Sequence, residues 1–171
     1  AWEARQQGDA VNLLEELRSL DPQDPGRWPL PFRIGAVAVW FVVLSFVHPL
    51  KLLNKTTDAG TLNGVPRGMT QAIVDYFKLR GLRVMLSIGG ITYTKAWNDA
   101  LAQNPTQLGL NAAAVAHQLG VGIEIDYEEN RSPNLAGLEA FIKAYRSVHA
   151  YDPSGVEHAA RLTIDLAAGD R

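Results

Sequence analysis

The sequence predicts an α/β protein whose parallel strands form an incomplete (β/α)8 TIM barrel, roughly its first half. Strand-like apolar segments alternate with amphipathic helical segments along most of the chain, which is typical of parallel βα units. In addition, residues 120–130, GVGIEIDYEEN, place Glu124, Asp126 and Glu128 at every second position. Because side chains alternate along a strand, one face of this strand is predicted to carry three carboxylates.

The carboxylate row favours a barrel over an open, doubly wound sheet, although the alternation of elements fits both. Both faces of an open parallel sheet lie beneath helices, which leaves three carboxylates without access to water. In a barrel, Ile123, Ile125 and Tyr127 pack under the helices. The carboxylates then face the interior near the C-terminal mouth, where barrel enzymes have their active sites.

The N-terminal part of the chain is predicted to be a separate segment. Residues 1–30 contain an amphipathic helix over 10–20 and a proline-rich linker, and residues 31–171 form the partial barrel domain. The domain opens on an apolar run over 34–47, rich in valine and aromatic residues. A membrane-spanning helix needs about 20 residues, so this run is predicted to be one long strand or two strands joined by a bend.

The remaining elements alternate along the chain. A loop or hairpin follows the apolar run and turns at Asn63-Gly64. The patterns then predict helices over 69–80, 94–103 and 106–119, a helix that begins at Ser132-Pro133, and strands over 82–90, 121–127 and 160–169. The predicted apolar stripes are Ile73, Tyr76 and Phe77 on the first of these helices, and Leu135, Leu138, Phe141, Ile142 and Tyr145 on the last.

Composition narrows the class of protein. The 171 residues suit one domain with a core, with 47% hydrophobic and 20% charged residues. A net charge of -2 gives no indication of a nucleic-acid partner or an anionic membrane, and we expect neither. There is no cysteine, which excludes disulfides and thiol chemistry. No metal and no cofactor is expected, since the four histidines show no ligand spacing.

The carboxylate row also predicts acid–base chemistry. Like charges a few ångströms apart resist joint ionisation, so the row is expected to retain at least one proton at neutral pH. Glu128 lies nearest the mouth and is the candidate general acid, Asp126 holds its proton or turns toward a substrate, and Glu124 tunes the charge of both. Two alternatives remain open from the residues alone: the solvated face of a half-exposed strand, and a divalent-cation site.

Two segments together resemble the signatures of family 18 glycoside hydrolases, the chitinase family. LRVMLSIGG matches the S-x-G-G motif through Ser87, Gly89 and Gly90. About thirty residues later, GVGIEIDYE resembles the D-x-x-D-x-D-x-E motif, in which Glu128 matches the catalytic acid and Asp126 the aspartate beside it.

The resemblance extends over roughly residues 37–170 and has departures. VVLSFVHPL looks like the second strand of the family and RLTIDLAAG like its fifth. Glu124 stands where the family has an inner aspartate, Val121 replaces the first aspartate, and Glu129-Asn130 alter the loop that follows the motif.

The resemblance implies retaining, substrate-assisted hydrolysis of β-1,4 bonds next to N-acetylglucosamine in an oligo- or polysaccharide such as chitin. Glu128 would be the acid and base, and Asp126 would orient the substrate's acetamide group. Ser87 would support the deeper carboxylates, Gly89 and Gly90 would leave room for sugar, and Tyr93 would offer a stacking ring. Trp97 and Tyr127 are expected to pack against helices instead. A secreted location follows from the resemblance alone.

The chain is expected to have little activity by itself. A full barrel needs about 250 residues, and only four or five strands are predicted here. We therefore expect a segment of a longer protein, or a barrel completed by a partner or a second copy of the chain. The competing function is that of a chitinase-like lectin, which binds such sugars without cleaving them. A metal-dependent carboxylate enzyme on another barrel is a further alternative.

Overall fold

The structure, a computed structural model, describes residues 41–165. The helix predicted over 10–20, the proline-rich linker, and the first part of the apolar run lie outside the described residues. So do residues 166–171, which include the end of the last predicted strand.

A four-stranded parallel sheet is the centre of the described structure. Its strands are β1 (Phe41–Val47), β4 (Arg83–Gly89), β5 (Gly122–Asp126) and β6 (Leu162–Asp165), and they lie side by side in that order. Each pair of neighbours is parallel. The predicted α/β class with a parallel sheet is therefore confirmed.

Helices connect these strands. They are α1 (Pro49–Leu53), α2 (Gln71–Lys78), α3 (Thr94–Gln103), α4 (Pro105–Leu119) and α5 (Leu135–Val148). The break between α3 and α4 falls at the predicted position, because the Asn104 side chain accepts a hydrogen bond from Gln107 N–H and Pro105 occupies the first turn. α4 ends at Gly120, whose backbone is left-handed.

One face of the sheet packs against the helices. Its residues on β4 and β5 are all buried: Val84, Leu86, Ile88, Ile123 and Ile125. They form a single core with helical side chains that include Trp97, Leu108, Ala112 and Phe141. The opposite face carries the alternate residues of the same strands, among them Ser87, Glu124 and Asp126, as the predicted alternation requires.

The segment between β1 and α2 differs in part from the prediction. A short helix, α1, occurs where only a loop or hairpin was predicted. His48 caps this helix by accepting a hydrogen bond from Lys51 N–H, and the buried Asn111 side chain donates to the carbonyls of Leu52 and Leu53. The predicted turn at Asn63-Gly64 is confirmed. It joins the two short strands β2 (Thr61–Leu62) and β3 (Val65–Pro66), and both turn residues have positive φ.

The buried side of α2 was predicted correctly at Phe77, which packs against the core, and wrongly at Ile73. Ile73 is 41% exposed, whereas its neighbour Val74 is fully buried. Thr70 caps the helix by accepting a hydrogen bond from Ile73 N–H, which sets where the first turn begins. Consecutive helical residues point about 100° apart, so turning Val74 toward the core leaves Ile73 at the surface.

The start of α5 was also predicted wrongly. The helix begins at Leu135 rather than at Ser132-Pro133, and Asn134 caps it by accepting a hydrogen bond from Gly137 N–H. The backbone N–H of Ser132 instead donates to the Glu129 carboxylate within the preceding loop. Leu135, predicted to belong to the apolar stripe, is 64% exposed, while Leu138, Phe141 and Tyr145 are buried.

Candidate active site

The carboxylate row lies at and just beyond the C-terminal end of β5. Asp126 is the last residue of the strand and only 6% exposed, and Glu124 and Glu128 are half-buried. Ile123, Ile125 and Tyr127 alternate with the carboxylates and are buried on the helix side. The strand therefore turns polar and apolar side chains to opposite faces, as its sequence predicts.

The surroundings of Asp126 favour its protonated form. Its pKa is raised from 3.8 to about 6, first because burial removes water from the charged form. The negative charges of Glu128 and Asp165, a hydrogen bond with the Glu128 side chain, and the charge of Glu124 raise it further. Asp126 consequently holds a proton at a higher pH than an ordinary aspartate does.

Ser87 lies on the same sheet face, one strand away from the row. It pairs with Glu124 across β4 and β5, and it is completely buried. Within residues 41–165, neither Ser87 Oγ nor Asp126 Oδ1 has a hydrogen-bond partner. Buried polar atoms are usually paired, so these two oxygens are candidates for contact with a bound molecule.

Gly89 and Gly90 form the turn beside Asp126. Gly89 pairs with Asp126, and a Cβ atom at Gly89 would collide with the Asp126 carbonyl oxygen and with Nε1 of Trp97. Its φ of 122° is also one that side chains rarely allow. Gly90 N–H donates to the Asp126 carbonyl at 3.0 Å. The two glycines thus hold the chain close against the end of β5.

Tyr93 is placed near this turn but not on the carboxylate row. Its backbone N–H donates to the Gly90 carbonyl at 2.8 Å. Its half-buried ring lies 4.8 Å from the ring of His48, centroid to centroid, in a tilted arrangement. The Tyr93 ring is therefore already engaged on one side.

Trp97 and Tyr127 pack toward the helices, as expected. Trp97 is fully buried, donates from Nε1 to the Ile88 carbonyl at 3.0 Å, and meets Phe141 edge to face. Tyr127 lies against Trp97 with 5.7 Å between ring centroids, and its hydroxyl donates to the Asn98 side chain.

Asp165 is a site residue that the sequence analysis missed. It pairs with Asp126 across β5 and β6, and its charge contributes to the raised pKa of Asp126. The available signal was an acidic residue inside a predicted parallel strand, since neighbouring parallel strands bring their carboxyl ends to one edge of the sheet.

Glu124 is less closely associated with the other two carboxylates. It lines a cavity of about 260 Å³ together with Phe41, Arg83, Met85, Arg161 and Thr163, none of which belongs to the candidate site. Its charge is also the smallest of the named causes that raise the pKa of Asp126. Glu124 therefore contributes less to the raised pKa of Asp126 than Glu128 and Asp165 do.

The residues of 41–165 contain no group of three His, Asp or Glu side chains placed to hold a metal ion. None of the helices in that range has the length and apolar character that a bilayer crossing requires. Comparison of the chain with family models, with curated proteins and with solved structures finds no match.

Proposed function

We propose that this chain carries the catalytic centre of a retaining glycosidase of the chitinase type, acting on β-1,4 bonds next to N-acetylglucosamine. One observation carries the proposal: a buried aspartate at the end of a parallel strand has a pKa raised to about 6, and a glutamate two residues further on contributes to that rise through its charge and through hydrogen bonding. Such a pair can hold a proton for a leaving group and then take one from water.

In the proposed mechanism, Glu128 donates its proton to the glycosidic oxygen. The acetamide oxygen of the substrate attacks the anomeric carbon from the opposite side, and the bond to the leaving sugar breaks. Asp126 orients the acetamide group and stabilises the cationic ring that forms. Glu128 then removes a proton from water, which attacks the same carbon, reopens the ring and leaves the original configuration.

We also propose that the four strands are part of a (β/α)8 barrel. Their spatial order follows their order along the chain without a reversal, whereas a doubly wound sheet reverses its order at a switch point. Most of the buried apolar residues of β4 and β5 share one face, and the polar residues toward their C-terminal ends share the other with the buried Met85. This division matches a barrel wall with helices outside and a functional mouth inside.

The direct test is hydrolysis of a chromogenic chitobiose or chitotriose glycoside by the protein with its barrel completed, as a longer chain or with its partner, and by the Glu128→Gln variant of the same protein. We expect about a 10²- to 10⁴-fold loss of turnover, since the amide can neither give nor accept the proton. Glu139→Gln is the matched control, because Glu139 is an exposed residue of α5 that pairs with Lys143. We expect wild-type turnover to fall as the pH rises through about 6, where Asp126 loses its proton.

Equal turnover by wild type and Glu128→Gln would remove the proposed acid. Binding of the oligosaccharide without any turnover, measured by calorimetry, would replace the glycosidase by a chitinase-like lectin. Activity that requires added calcium or magnesium would favour a metal-dependent enzyme instead.

A further inference from the structure

Glu128 lies in a part of the chain that no strand or helix holds. β5 ends at Asp126, and α5 begins only at Leu135. The sheet hydrogen bonds that fix Asp126 therefore stop before Glu128. The direction of the Glu128 side chain must depend on what fastens the loop between these two elements, and both residues that flank Glu128 make contacts with one side chain of α3.

The first contact holds Tyr127, the residue before Glu128. The Tyr127 hydroxyl donates to Oδ1 of Asn98 and accepts from the backbone N–H of Asn134 at 2.9 Å. A hydroxyl has one proton, so accepting from the amide of Asn134 directs that proton toward Asn98. Tyr127 is thus tied at once to α3 and to the start of α5.

The second contact holds Glu129, the residue after Glu128. Nδ2 of Asn98 donates to Oε2 of Glu129 at 3.2 Å. The other carboxylate oxygen, Oε1, accepts from the backbone N–H groups of Arg131 at 2.8 Å and Ser132 at 3.3 Å. These backbone bonds and the Asn98 bond lower the pKa of Glu129, so it stays ionised and accepts from all three donors.

The side chain that makes both contacts stands on a firmly packed helix. Residues on either side of Asn98 in α3 are buried: Ala96, Trp97, Ala100 and Leu101. Trp97 also bonds the Ile88 carbonyl of β4 through Nε1. Asn98 is therefore held in place relative to the sheet. Its side-chain carbonyl accepts from the Tyr127 hydroxyl, and its side-chain amide nitrogen donates to the Glu129 carboxylate.

We propose that Asn98 is a positioning residue, which fastens the residues on both sides of Glu128 and so aims the Glu128 carboxyl at Asp126 and at the bond to be cleaved. This inference rests on the proposed function, because the direction of the Glu128 carboxyl affects a reaction rate only if a reaction takes place there. A misplacement of about 1 Å at a reacting group can cost roughly 100-fold in rate.

The test exchanges donor and acceptor across the contact. Asn98→Ala removes both bonds without adding charge. Asn98→Asp keeps an acceptor for the Tyr127 hydroxyl and places a second carboxylate against Glu129. Adding Glu129→Gln to Asn98→Asp puts the amide at position 129 and the carboxylate at position 98. The hydrogen bond between the two residues can then form again, with residue 129 as the donor. Lys95→Gln is the control, since Lys95 lies on the same helix and its side chain is 87% exposed.

Two measurements are made on each variant whose melting shows that it is folded. The first is kcat and KM on a chitotriose glycoside. We expect Asn98→Ala and Asn98→Asp to lower kcat about 10- to 100-fold with a smaller change in KM, and the double variant to recover to within a few-fold. The second is the titration of the Asp126 carboxyl followed by NMR. We expect its midpoint to fall in Asn98→Ala, since Glu128 no longer stays against it, and to return in the double variant.

The two measurements separate the possible failures. If the wild type shows no turnover even with its barrel completed, the proposed function fails, and the Asp126 titration still decides whether Asn98 places Glu128. Unchanged kcat and unchanged titration in Asn98→Ala overturn the inference. So does a folded double variant that behaves like Asn98→Asp, and this comparison stands even where Asn98→Ala does not fold.

Discussion

Leu86 and Ile88 of β4 point toward the helices, whereas Ser87 between them points to the other side of the sheet. All three are completely buried. Leu86 and Ile88 belong to the hydrophobic core, but Ser87 keeps a hydroxyl that has no hydrogen-bond partner in the described part of the chain. The comparison teaches that burial alone does not separate a core from a site. The difference lies in whether the buried atoms are apolar and packed or polar and unpaired.

The same division runs along β5. Ile123 and Ile125 contribute packing on the helix face, while Asp126 on the other face is nearly as well buried and resists ionisation. One face therefore stabilises the folded state and the other is expected to weaken it at neutral pH. Three comparisons between variants test this difference.

The largest effect is expected from Ile125→Ala, compared with Glu124→Ala one residue earlier. Ile125 is buried in the core, so its truncation should lower the free energy of unfolding by about 2–5 kcal/mol. Glu124 is half-buried on the other face, and its truncation should cost less than about 1 kcal/mol. Urea denaturation at pH 7 measures both, and comparable losses would contradict the assignment of the core to one face.

The second effect is the pH dependence of stability through Asp126. The folded chain holds the Asp126 proton with a pKa of about 6, against an ordinary value of 3.8. The folded state therefore binds the proton more tightly, and wild-type stability should fall as the pH rises from about 4 to about 6. Asp126→Asn should remove this fall and leave the chain more stable than wild type at pH 7.5, by about 1–3 kcal/mol.

Unfolding curves of wild type and Asp126→Asn from pH 4 to pH 7.5 measure this difference. Asp99→Asn, a half-exposed aspartate paired with Lys95 on α3, serves as the control and should keep the wild-type slope. If the free energies of unfolding of Asp126→Asn and wild type changed with pH in parallel, the ionised Asp126 carboxylate would not destabilise the folded state.

The smallest effect is expected from Leu135→Ser, at the edge of the helix layer. Leu135 is largely exposed, so its replacement should change the free energy of unfolding by less than about 0.5 kcal/mol. Leu138→Ser, one turn later on the buried side of α5, is the matched comparison and should cost several times more. A large loss of unfolding free energy for Leu135→Ser would show that Leu135 packs within the apolar layer and not at its exposed edge.

The mistakes of the sequence analysis share a physical cause. Periodicity placed Ile73 and Leu135 on apolar stripes, but the caps at Thr70 and Asn134 set where each helix begins and therefore which residues it buries. Ser132-Pro133 has the composition of a helix start, yet Glu129 engages the Ser132 backbone in the loop. Competition for backbone donors decides such boundaries, and it involves residues that the local pattern does not include.

The sequence analysis singled out some residues of the candidate site and missed others. Glu128, Asp126 and Ser87 were singled out from strand alternation and from the resemblance, and the structure places all three at the C-terminal ends of β4 and β5 or just beyond. Asp165 and Asn98 were not singled out. Each reaches the site only across a strand pairing or a helix-to-loop contact.

The alternation of carboxylates and isoleucines along residues 123–128 was available from the sequence, because a strand's backbone geometry sends successive side chains to opposite faces whatever surrounds it. Which carboxylate resists ionisation, and which side chain fastens the loop around Glu128, followed only from the folded chain. Both depend on the register of β5 against its neighbours and on the packing of α3. These bring together residues that are 31 to 39 positions apart.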